Sequence, residues 1–90
     1  MIYRTSSGKN FYIEVELTQK SHSNYQKIIA NIQRDNPTGV VYLTKSASFS
    51  KIIAKHLDIW NRLFFISKDD FLKNIKEHGK IKATKQEDTL

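Results

Sequence analysis

Cysteine is absent from the 90 residues, which excludes a disulfide framework and every thiolate metal site. No apolar run approaches the ~18–20 residues needed to span a membrane. The opening residues Met1-Ile2-Tyr3-Arg4-Thr5 lack the apolar region of a secretory signal. A soluble, cytoplasmic chain is therefore expected, and the missing thiols fit a reducing compartment. There is no Gly-x-Ser-x-Gly elbow, no Walker loop and no Gly-x-Gly-x-x-Gly turn, so three common catalytic and nucleotide-binding signatures are missing. Internal repeats and low-complexity segments are also missing. No Asp or Glu precedes Glu14.

What is present begins with a strand pattern. In residues 11–17, Phe11, Ile13, Val15 and Leu17 are apolar, while Tyr12, Glu14 and Glu16 between them are polar or amphipathic. That period of two predicts a β-strand whose odd residues face the core. Glu14 and Glu16 then share the other face, about 6–7 Å apart at Cα. Bare carboxylates that close repel and raise each other's pKa. A divalent cation would relieve this, since hard cations such as Mg²⁺ or Mn²⁺ take carboxylate, water and phosphate oxygens. The plainer alternative is a solvated outer face, on which Glu-x-Glu is common.

Net charge is +6, and 39% of residues are hydrophobic, including ten aromatics. This suffices for one small core and no second domain. A basic small domain points to a polyanionic partner, DNA first. Lysine far outnumbers arginine. Arginine is the better bidentate reader of bases and phosphates, so the bias favours backbone contact over sequence reading. A merely solubilising role for the lysines is the alternative.

Turn residues 5–10 separate a short strand at Ile2-Tyr3-Arg4 from 11–17, which reads as a hairpin. Ser21 or Ser23 caps a helix with a Tyr25, Ile28, Ile29, Ile32 stripe, stopped by Asp35-Asn36-Pro37-Thr38-Gly39. Residues 40–44 form a continuous apolar run suited to a covered strand. Ser46 or Ser48 caps a second helix carrying Phe49, Ile52, Ile53, His56 or Leu57, and Trp60. A strand at 63–66 precedes a third helix over 68–78, capped by Ser67, with Asp69 and Asp70 at its positive end and Gly79 at its stop. The expected order is ββαβαβα. It describes an α/β fold with a small mixed sheet, 11–17 central, flanked by helices as a single domain over 1–79. Residues 80–90 are expected to form a charged, mobile tail.

At Glu14-Val-Glu16-Leu-Thr-Gln-Lys20-Ser21 and Tyr25, followed by a helix and the apolar Val40-Val41-Tyr42-Leu43, the chain resembles the MobC-type plasmid mobilisation proteins and the related replication-relaxation family. That family is similar to the restriction-endonuclease-like PD-(D/E)xK nucleases, so the resemblance implies a restriction-endonuclease-like core. It also implies a DNA partner, other mobilisation or replication proteins, and Mg²⁺ or Mn²⁺. By the same resemblance Glu14 takes the metal-binding Glu place, Glu16 that of the usual Lys, and Lys20 supplies the missing cation. Metal would bridge the attacking and leaving oxygens while Lys20 neutralises phosphate charge. The family's first-strand Asp has no counterpart before Glu14. The expectation is thus a truncated or degenerate member with an incomplete metal site.

Lys20, Lys27 and Arg34 recur at seven-residue steps and are expected to track a phosphate backbone. Lys45, Lys51 and Lys55 are read as a solvated face. His22, His56 and His78 have no metal-ligand spacing, and Tyr25 reads as a packed core tyrosine rather than a nucleophile. Three functions compete: a DNA-contacting domain without complete catalysis, a protein-interaction module of a DNA-processing complex, and a metal-dependent nuclease completed by homodimerisation.

Overall fold

A computed structural model describes residues 2–57, 60–79 and 81–90. The elements in chain order are β1 (Ile2–Arg4), β2 (Asn10–Glu16), α1 (His22–Asp35), β3 (Gly39–Thr44), α2 (Ala47–His56), β4 (Leu63–Ser67), α3 (Lys68–His78), β5 (Thr84–Lys85) and α4 (Gln86–Thr89). The caps follow local chemistry. The hydroxyls of Ser21, Ser46 and Ser67 accept the backbone N–H groups of Asn24, Phe49 and Asp70. Asn36 and Gly79 close α1 and α3 in the left-handed region, at φ 51° and 63°.

The sheet has five strands in the order β1-β2-β3-β4-β5. β2, β3 and β4 are mutually parallel, and the short edges β1 and β5 run antiparallel to their neighbours. This is the expected mixed α/β sheet with one correction: β3 is central, and β2 lies between it and the β1 edge. The order also extends past ββαβαβα. Thr84–Lys85 pairs with β4, and Gln86–Thr89 forms a short helix packed on α2 and β4. The tail expected over 80–90 therefore belongs to the domain from β5 onward.

Strand register sorts the side chains. Tyr12, Val40 and Leu63 lie side by side; so do Glu14, Tyr42 and Phe65, and then Glu16, Thr44 and Ser67. Helices α1 and α2 cover this face, as right-handed crossovers between successive parallel strands require. Tyr25, Ile29 and Ile32 of α1 and Phe49 and Ile53 of α2 close over Val40, Tyr42, Leu63 and Phe65 in one core. The face of β2 expected in the core is the opposite one. Val15 is 53% exposed and Leu17 49%, whereas Glu16 is 4% exposed. The reason is the reach of α3, which packs on β3 and β4, away from the other helices. It seals Ile66 but leaves the β2 end of that side half open.

Gln86 explains why the C-terminal segment docks. It is 2% exposed. Its Nε2 donates to the carbonyls of Ala54 (3.1 Å) and Leu57 (3.2 Å), and its Oε1 accepts the Trp60 N–H (3.1 Å). Helix α2 ends at Leu57 in an extended conformation with no glycine cap. Its last carbonyls need donors from elsewhere, and Gln86 provides them. No helix among the described residues is long and apolar enough to cross a membrane.

Candidate functional site

Glu14 and Glu16 project from the same side of β2, as their spacing predicts, but that side is roofed by α1 rather than open to water. The loop after β2 returns Lys20 to the strand end. Its Nζ donates to both Glu16 oxygens, at 2.6 Å for Oε2. The Lys20 backbone N–H donates to the Tyr25 hydroxyl at 2.9 Å, pinning the loop to the first turn of α1. Tyr25 is fully buried, in keeping with a core role. Burial raises its phenol, the Lys20 N–H opposes that shift, and the Glu16 carboxylate adds to it.

Tyr42 stands opposite Glu14 on β3 and is 1% exposed. Its hydroxyl is buried and has no hydrogen-bond partner among the described residues. Burial pushes this phenol far above its ordinary value, and the charges of Glu14 and Glu16 push the same way. The cluster of Glu14, Glu16, Tyr25 and Tyr42 is thus acidic and largely enclosed, with Lys20 as its counter-charge.

The residues fit a bound Mg²⁺ or Mn²⁺ poorly. No group of three or more His, Cys, Asp or Glu converges on a metal position among the described residues. One of the two available carboxylates is already neutralised by Lys20. Of the expected DNA-contact residues, Lys20 is not on the helix, which begins at His22. Lys27 and Arg34 are exposed on α1, roughly opposite Tyr25 on the helix wheel at 3.6 residues per turn. Lys51 and Lys55 are exposed on α2. Across both helices the one acidic residue is Asp35, whose Oδ2 accepts the Tyr12 hydroxyl at 2.7 Å. By contrast, α3 mixes Lys68, Lys73 and Lys76 with Asp69, Asp70 and Glu77. Lys45 lies over the ring of Phe49, 4.6 Å from its centroid.

One grouping was hidden from sequence spacing. His22 opens α1 and His56 closes α2. Their Nδ1 atoms meet at 3.4 Å. The Gln19 amide reaches His56 Nε2 at 3.1 Å, and the Tyr25 ring stacks on His56 at 5.8 Å between centroids. A separation of 34 residues falls outside any local ligand motif, so only the packing of α2 against the start of α1 creates the pair. No family model matches the chain, and no curated protein or solved structure matches it.

Proposed function

We propose that this is a DNA-contacting domain of the kind found in plasmid mobilisation or replication-associated proteins, with a nuclease-like carboxylate pair but no complete metal site. The observation that carries the reading is the outward charge of α1 and α2. Lys27, Arg34, Lys51 and Lys55 are exposed there, and the single acid, Asp35, is engaged by Tyr12. Such a surface attracts the phosphate backbone without reading bases, and long lysine side chains suit that contact. The resemblance of Glu14 to Lys20 and Tyr25 to mobilisation proteins, and through them to restriction-endonuclease-like folds, supplies the biological setting of the proposal. Catalysis is not part of it, because Lys20 occupies the place a cation would take at Glu16.

The test is fluorescence anisotropy of a labelled duplex titrated with protein at several salt concentrations. Four phosphate contacts predict a loss of about 100-fold in affinity between about 50 and 200 mM salt. Lys27→Glu with Arg34→Glu should weaken binding to all sequences alike and flatten the salt slope. No binding at micromolar protein and low salt would overturn the reading. That outcome would favour a protein-interaction module, for which the exposed Val15, Leu17, Leu72 and Ile75 are the supporting observation.

A further inference from the structure

We propose that His22 and His56 form a site for a divalent transition-metal ion of the Zn²⁺ class, clipping the start of α1 to the end of α2. The distance is the first argument. Imidazole nitrogens bind Zn²⁺ at about 2.0–2.1 Å, so two of them on a tetrahedral ion stand about 3.3–3.4 Å apart. The Nδ1 atoms of His22 and His56 are 3.4 Å apart.

The second argument is the way His56 is held. Tyr25 stacks on one side of its ring, with 23° between the planes. Gln26 Nε2 donates to its backbone carbonyl at 2.5 Å. The Gln19 amide nitrogen lies 3.1 Å from the outer nitrogen Nε2, so the Gln19 amide stands at the atom whose partner orients a metal-ligating histidine. In the metal-free pair one Nδ1–H donates to the other Nδ1. Metal binding moves that proton to Nε2 of the same ring, and both Nδ1 lone pairs turn to the ion. On His56, the Gln19 amide, whose nitrogen faces Nε2 in the metal-free pair, then turns over so that its oxygen receives the relocated N–H. Both rings stay neutral and no net proton is released.

The chemistry selects the ion. Imidazole donors suit Zn²⁺, Ni²⁺ and Cu²⁺, whereas Mg²⁺ and Mn²⁺ prefer oxygen. His22 is exposed, so water can fill the remaining positions. No third His, Asp or Glu joins the pair among the described residues, which makes this a clip that stabilises the fold rather than a closed structural centre.

The experiment is thermal melting of the full chain with zinc chloride, against a chelator control and magnesium chloride. At a zinc concentration ten times Kd the melting temperature should rise by about 5–10 °C. Magnesium at the same concentration should give no comparable rise. His22→Ala, an exposed position that leaves the core intact, should lose the zinc response, as should His56→Ala; His78→Ala should keep it. Calorimetry should find one zinc ion per chain in the unmodified protein and none in His22→Ala. A melting temperature indifferent to zinc, a response that survives His22→Ala, or one that disappears in His78→Ala would overturn the proposal.

Discussion

The ammonium of Lys20 closes on the carboxylate of Glu16, at the end of a strand face where the alternation of residues 11–17 puts its polar side chains. The pair spans the turn from β2 toward α1. It brings a positive charge to a carboxylate that would otherwise be buried alone. The chain thereby supplies internally the cation that the Glu-x-Glu spacing suggests must come from solution.

Removing that cation tests the pair. Lys20→Met should cost about 1–3 kcal/mol in urea denaturation. Breaking a fully buried pair costs about 3–5 kcal/mol, and the figure is lower here because the Lys20 side chain is 41% exposed. With Glu16 released, millimolar Mn²⁺ should raise the melting temperature of the variant more than that of the unmodified protein. Equal responses would show that Glu14 and Glu16 do not converge on a shared ion.

Among the described residues the Tyr42 hydroxyl has no partner to lose. Tyr42→Phe should therefore be neutral or stabilise by up to about 1 kcal/mol, since deleting an unpaired buried hydroxyl removes only its desolvation cost. The same variant has a pH signature. The folded phenol titrates above the unfolded one, so its contribution is fully present below about pH 10 and is lost as pH rises beyond that. Stability measured from about pH 9 to 11 should fall less steeply in Tyr42→Phe. A larger fall, or a loss of 2 kcal/mol or more at pH 7, would mean that the hydroxyl is bonded.

Gln86→Ala should cost about 2–3 kcal/mol, because it strips donors from the buried ends of Ala54 and Leu57 and an acceptor from Trp60. Deleting residues 84–90 should cost at least as much. Thermal melting of both variants distinguishes a docked segment from a free tail, whose removal would leave the transition unchanged.

Gly39 opens β3 between two aromatic rings. A Cβ there would stand 2.9 Å from Phe11 Cε1 and 3.3 Å from Phe64 Cε2. Gly39→Ala should cost about 1–2 kcal/mol, at the lower end of overpacking because Phe11 is only partly buried and its ring can shift. Adding Phe11→Leu should recover most of it. Additive losses in the double variant would place the strain elsewhere.

Features under the control of short-range chemistry could be read from the order of residues. Serine caps, the Asn36 and Gly79 stops and the Tyr25–Ile29–Ile32 stripe were all legible, because each depends on residues a few positions apart. The pairing of Glu14 and Glu16 on one face was legible for the same reason. Which face of β2 would be covered was not. Alternation fixes the period of a strand but not which side a helix will roof, and here the crossover helices chose the side with Glu16 while α3 stopped short of Val15. The docking of Gln86 and the meeting of His22 with His56 were decided by tertiary structure alone. Both join residues about 30 positions apart, brought together by the packing of α2 against α1 and α4.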